Sequence, residues 1–154
     1  MKNATTLRDV LLNSVNQWPD RPAVGLAGAE SRSYSGLLED ASAWCSWLKT
    51  LELQKGERVA ILAESQPGWA AAYFGISGAG FIAVPILPDF AEAQISNIMD
   101  HAEVRAAVVS AKLAEGLKNA LTLSSTLSED LPLACLETME ILSGPGSGSR
   151  LSIP

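Results

Sequence analysis

Charge is scarce in this chain. Only 18% of its 154 residues are Asp, Glu, Lys or Arg, against about 25% in a typical soluble domain. Positive charge is scarcer still. Eleven Lys and Arg face seventeen Asp and Glu, a net charge of −6. The basic residues form no run, and a nucleic-acid backbone needs them gathered on one face. A nucleic-acid partner is excluded, and an anionic membrane surface is disfavoured on the same ground. Cysteine is limited to Cys45 and Cys135 and histidine to His101. Two distant thiols make no secreted disulfide framework and, with a single imidazole, no structural zinc site. Long hydrophobic runs are absent too. The most apolar stretch, Trp69–Leu87, is broken by Gly75, Gly78, Gly80 and Pro85, so no membrane span is read. No apolar run follows Met1-Lys2-Asn3-Ala4, so no secretory signal is read and a reducing, cytoplasmic setting is expected.

What is present is hydrophobic: 47% of the residues. Disorder is excluded for most of the chain, and so little charge implies that some surface is normally covered. At this mass a compact domain exposes about 7,500 Å² of about 23,500 Å² unfolded, enough for a core without staples. Thr6 and Asp9 are spaced as a capping box, with Leu7, Val10, Leu11, Val15 and Trp18 following at helical spacing up to Pro19. Ala23–Ala27 and Arg32–Tyr34 read as a short hairpin. Ser35 is placed to cap a helix striped by Leu37, Leu38, Ala41, Trp44, Cys45, Leu48 and Leu51, with Gly56 at its exit. Buried strands are then predicted at Arg58–Ala63, Phe81–Ile86 and Ala106–Ser110, and a fourth strand at Leu133–Leu136. Helices are predicted from Pro67, over Ala91–Ala102 and over Lys112–Leu121. This order predicts an α/β fold in three layers: a mostly parallel sheet with helices on both faces, plus a short N-terminal hairpin. Residues 1–142 form the α/β segment, and 143–154, rich in Gly, Ser and Pro, read as a linker.

Candidate chemistry is thin. Gly144–Ser149 is glycine-rich, but no strand precedes it in this reading, no Lys follows, and Pro145 removes a donor. A phosphate cradle needs those features. Gly75-Ile-Ser77-Gly-Ala79 falls one residue short of a nucleophile elbow and lies in or near the end of a helix, where small residues serve close helix–sheet packing. His101 ends a helix with no placed nucleophile to serve. Trp18 and Trp44 fit core stripes, while Trp47 and Trp69 are undecided between core and ligand platform. The pairs Glu39-Asp40 and Glu129-Asp130 read as solvated faces. No catalytic, cofactor-binding or metal-ligating residue is assigned.

One long stretch is more specific. Lys55-Gly-Glu-Arg-Val-Ala-Ile-Leu-Ala-Glu-Ser-Gln-Pro-Gly-Trp69, then Phe74–Pro88, then Gln94–Ser110, resemble successive segments of AMP-forming acyl-CoA ligases, in order and with similar spacings. Ser33-Tyr34 followed by Leu37 resembles an earlier motif of that family. The likeness runs from about Thr6 to Ser110. Pro85–Pro88 and Gln94-Ile95 are most similar to the long-chain fatty acyl-CoA ligase branch. Gly36, Glu64-Ser65-Gln66 and Leu87 depart from the family pattern.

The resemblance implies a two-step reaction. A carboxylate attacks the α-phosphate of ATP with Mg²⁺, giving an acyl-adenylate and pyrophosphate, and the thiol of CoA then displaces AMP. The family's Lys-bearing phosphate loop and its C-terminal domain find no counterpart here, so no catalytic residue is carried over. The expectation is an N-terminal part of a fatty acid–CoA ligase, inactive alone. ATP, Mg²⁺ and CoA serve the whole enzyme and are not bound by this part. Its partner is the rest of its own chain, and uncovered surface favours self-association. Two alternatives stand beside it: a free-standing, non-catalytic α/β interaction module, and an adenylation domain that passes its acyl group to a carrier protein.

Overall fold

The structure, a computed structural model, describes residues 5–152. Met1–Ala4, read above for a signal, and Ile153-Pro154, the end of the expected linker, lie outside the described residues. The chain opens with α1 (Leu7–Gln17), whose capping box is formed as predicted: Thr6 Oγ1 accepts from Asp9 N at 3.1 Å and Asp9 Oδ2 accepts from Thr6 N at 3.1 Å. A small hairpin follows, β1 (Pro22–Val24) and β2 (Arg32–Ser33), paired antiparallel. Next is α2 (Tyr34–Thr50). Its cap is Ser33, not Ser35: the Ser33 hydroxyl accepts from Gly36 N at 3.1 Å, so Tyr34 begins the helix instead of ending a strand. The helix stops at Thr50, before Gly56, because the chain turns at Glu52 with φ +55°.

The main sheet is built from β3 (Arg58–Leu62), β4 (Ile82–Ile86), β5 (Val104–Val109), β6 (Leu133–Cys135) and β7 (Ile141–Ser143). Their order is β4-β3-β5-β6-β7, parallel except for the last pair. Helices α3 (Pro67–Gly78), α4 (Glu92–His101) and α5 (Ala114–Leu123) fill the connections. The expected fold class therefore holds. Successive residues of a strand point to opposite faces, and two cores result. Val59, Ile61, Ala106 and Val108 face α2 and α3, whereas Ala60, Leu62, Ala107 and Val109 face α4 and α5. Arg105 is the extra residue of a bulge in β5, since Val104 stands opposite Arg58 and Ala106 opposite Val59.

Four expectations need correction. First, β4 is not a buried strand. It is the sheet's edge, with Ile82 52% exposed and Pro85 also exposed. Proline is tolerated there because an edge strand needs no N–H on its open side. Second, the linker from Ser143 is ordered. Ser143 belongs to β7, and Gly144–Ser149 turn the chain back so that Arg150 bridges Glu140. Gly144, Gly146 and Gly148 all take φ above +80°, which glycine adopts without strain. Leu151 N donates to Met139 O at 2.7 Å, so the α/β unit continues through Leu151. Third, Trp18 is not core: it caps α1, is 37% exposed and lies under the Arg21 guanidinium. Fourth, Asp40 is not simply a solvated carboxylate, although Glu39 is exposed. Arg32 holds Asp40 with two hydrogen bonds, of 2.9 and 2.8 Å, and reaches Glu39 at 3.5 Å.

Candidate functional site

The order of the parallel strands reverses between β3 and β5. From β3 the chain crosses by α3 to β4 on one side, then by α4 to β5 on the other. In open α/β sheets the crevice at the carboxyl ends of such a strand pair is where ligands bind. Here the crevice is formed by Glu64-Ser65-Gln66 after β3, Ser110-Ala111-Lys112 after β5, and Glu137 just beyond β6.

Glu137 ties these loops together. Its carboxylate accepts from Gln66 Nε2 at 3.0 Å, from the backbone N–H of Ala111 at 2.8 Å, and from the Cys135 thiol at 3.3 Å. Partial desolvation pushes its carboxyl up, but donors led by Gln66 and Ala111 outweigh that and hold it below the usual carboxylate range. Glu64 is also held below that range, first by the Ser110 hydroxyl, with its own backbone N–H and Lys112 assisting. Lys112 Nζ stands 3.3 Å from Glu64 Oε1, on an 80% exposed side chain. Ser110 Oγ is fully buried and, though near Glu64, meets no partner in full hydrogen-bond geometry.

The donor set does not suit a nucleoside triphosphate. Developing phosphate charge needs uncommitted N–H groups and cations. This crevice offers two carboxylates and one lysine already spent on Glu64. Among the described residues, no three His, Cys, Asp or Glu side chains are placed to hold a metal ion. No step of nucleotide chemistry is therefore assigned to these residues.

The other sequence candidates scatter. Ser77 is the second-last residue of α3, and His101 is the exposed last residue of α4. Those helices cover opposite faces of the sheet, so the sheet separates the two groups. Of the small residues around Ser77, Gly75 serves helix–helix rather than helix–sheet packing, while a Cβ on Gly78 would meet open space. A Cβ on Gly75 would lie 2.5 Å from Trp44 Cβ and 2.7 Å from Ala41 O, both on α2. Trp44 and Trp47 are buried edge to face, 6.0 Å apart. Trp69 stacks on Tyr73 at 5.2 Å and is half-buried. Cys45 and Cys135 are both free thiols. The Glu64, Ser110 and Glu137 cluster had no signal in the sequence beyond the position of its members just past apolar strands.

A model of the family "AMP-binding enzyme" matches residues 11–146. The long-chain-fatty-acid–CoA ligase of Bacillus subtilis is 30% identical over 99 residues, which are 64% of this chain and 18% of that protein. Among solved structures, a fatty acyl CoA synthetase of Mycobacterium tuberculosis superposes with a TM-score of 0.70 at 21% identity, over 78% of this chain and 24% of that one. The nonribosomal peptide synthetase FmoA3, in its AMPPNP-bound form, superposes with a TM-score of 0.74 at 18% identity, over 99% of this chain and 15% of that one. The chain thus spans less than a fifth of the curated relative's length. With the family match covering both cores and the crevice between β3 and β5, this chain belongs to the AMP-binding enzyme family.

Proposed function

We propose that the chain is the N-terminal part of an ATP-dependent, AMP-forming fatty acid–CoA ligase. The observation that carries the reading is the 30% identity to the Bacillus subtilis long-chain-fatty-acid–CoA ligase over 99 residues, 64% of this chain. The reaction joins a carboxylate to AMP with loss of pyrophosphate, then exchanges AMP for the thiol of CoA. ATP, Mg²⁺ and CoA serve the whole enzyme, and the cations and N–H donors that hold them come from outside this chain. The role of the chain is to supply a rigid sheet and a crevice closed by Glu137, against which the rest of the ligase packs. On this reading the protein is cytoplasmic. Among the described residues no helix is long and apolar enough to cross a membrane.

The test uses the endogenous protein. Its intact mass should be several-fold above 16.2 kDa. It should catalyse fatty-acid-dependent ATP–pyrophosphate exchange and form an acyl-CoA, while the 154-residue chain alone does neither. Exchange by the isolated chain would overturn the reading. A second reading, an adenylation domain loading a carrier protein, draws on the peptide-synthetase superposition over 99% of the chain. Acyl transfer to a phosphopantetheinyl carrier, with none to free CoA, would favour it. If the endogenous mass equals that of the chain and a specific partner co-purifies, a non-catalytic interaction module replaces both.

A further inference from the structure

A groove runs between α1, α2 and α3, on the opposite side of the molecule's core from α4 and α5. Its inner part, about 350 Å³, is walled by Leu11, Leu12, Leu38 and Phe74, with Cys45 on one side. Its outer part, about 780 Å³, is floored by Leu53 and Phe81. Arg8, Lys49 and Gly78 line both parts, so the two are continuous. Both volumes fall within the roughly 300–1,000 Å³ of small-molecule sites.

Three cations gather around it. Arg8, Lys49 and Lys55 all line the outer part, and all three are exposed. None makes an ion pair with a described residue, and neither do Arg21, Lys118 and Arg150, whereas Arg32, Arg58, Arg105 and Lys112 each meet a carboxylate. The one acid in the lining, Asp9, is turned back on the helix cap, where Thr5 and Thr6 donate to it. A protein of net charge −6 has therefore gathered three unpaired cations at the mouth of one apolar groove. The sequence hides this, because residues 8, 49 and 55 lie on separate elements.

An apolar slot with cations at its mouth matches an apolar chain with an anionic head. We propose that the groove binds a single-chain phosphate amphiphile, its alkyl chain between α1, α2 and α3 and its head among Arg8, Lys49 and Lys55. Three cations favour a phosphate monoester over a singly charged carboxylate, since each anionic oxygen can take a charge-assisted hydrogen bond. The site is separate from the crevice at β3 and β5 and does not depend on the ligase reading.

Cys45 provides the readout, because it is half-exposed in the inner groove while Cys135 is buried. The 154-residue chain is treated with N-ethylmaleimide, and each cysteine is followed by peptide mass. Dodecyl phosphate below its micelle threshold should suppress modification of Cys45 and leave Cys135 unreactive. The triple variant Arg8→Gln, Lys49→Gln, Lys55→Gln should need about tenfold more amphiphile for half-protection. Ser42→Phe, which fills the inner groove, should abolish binding in a folded protein. Inorganic phosphate and dodecyltrimethylammonium should not protect. Unchanged Cys45 modification overturns the proposal, as does equal protection by the cationic amphiphile. Exposure of Cys135 by the amphiphile also overturns it, since that reports unfolding. Sedimentation with anionic vesicles, without protection by the free amphiphile, would assign the cations to a membrane surface instead.

Discussion

The two faces of the sheet are packed by different means. On the face covered by α2 and α3, two helices close directly on a glycine: a Cβ on Gly75 would lie 2.5 Å from the Cβ of fully buried Trp44 and 2.7 Å from Ala41 O. On the other face the contacts are aliphatic, Ile95 and Met99 of α4 against Leu117 and Leu121 of α5. There a polar tie closes the layer. Asp100 at the end of α4 accepts from the hydroxyls of Ser124 and Thr126 and from the backbone N–H of Ser125. The first face is specified by shape, with no slack for a methyl group. The second is specified by periodic aliphatic burial and by hydrogen bonds to one carboxylate.

If that contrast is right, the faces should respond differently to mutation. The largest effect is expected for Trp44→Ala, about 3–5 kcal/mol by the cost of emptying an aromatic core site, read by urea unfolding. Met99→Ala on the other face should cost about 2–5 kcal/mol. Met99→Leu should cost less than about 1.5 kcal/mol, because volume-conserving swaps are tolerated. Gly75→Ala is the sharper discriminator. It adds one methyl group against Trp44 and Ala41, and overpacking should cost about 1–3 kcal/mol. If Gly75→Ala is neutral, the first face is not shape-limited.

A smaller effect is expected at Asp100, and it depends on pH. Led by the Ser124 hydroxyl and then that of Thr126, its donors pull its pKa down to about 2 from the usual 3.8. A carboxyl with a lowered folded pKa stabilises above its unfolded pKa, and that stability is lost as pH falls through the folded value. Stability measured from pH 5 to pH 2 should therefore decline more in the wild type than in Asp100→Asn, with the two curves converging at the acid end. Parallel curves would mean that the tie is idle. The smallest effect is expected for Lys112→Ala at the crevice, between about 0 and 1 kcal/mol, since its pair with Glu64 is solvent-exposed.

The positions of the elements were largely legible. Thr6 and Asp9 announced the start of α1, Pro67 that of α3, and the apolar run at Arg58–Ala63 announced β3. These are local signals, carried by residues within a turn or two of each other. Misreadings came where two local signals competed. Ser35 was read as the N-cap, yet the extended backbone at Ser33 places that hydroxyl, and not Ser35's, to accept from Gly36 N. The Gly and Ser of residues 144–149 suit a linker and a tight turn equally, and pairing with β6 and Met139 decided for the turn.

Of the candidate site, only the position of its members just past apolar strands was legible. Gln66 and Glu137 are 71 positions apart, and no spacing rule joins them. The α/β class, the succession of strands and helices and the family likeness were carried by periodicity, caps and ordered motifs, which are properties of neighbouring residues. That β4 is an edge, that Glu137 gathers three loops, and that Arg8, Lys49 and Lys55 share one groove emerged with the packed fold. The physical reason is that strand order and helix packing bring distant residues together, and the free energy that chooses them belongs to the whole core.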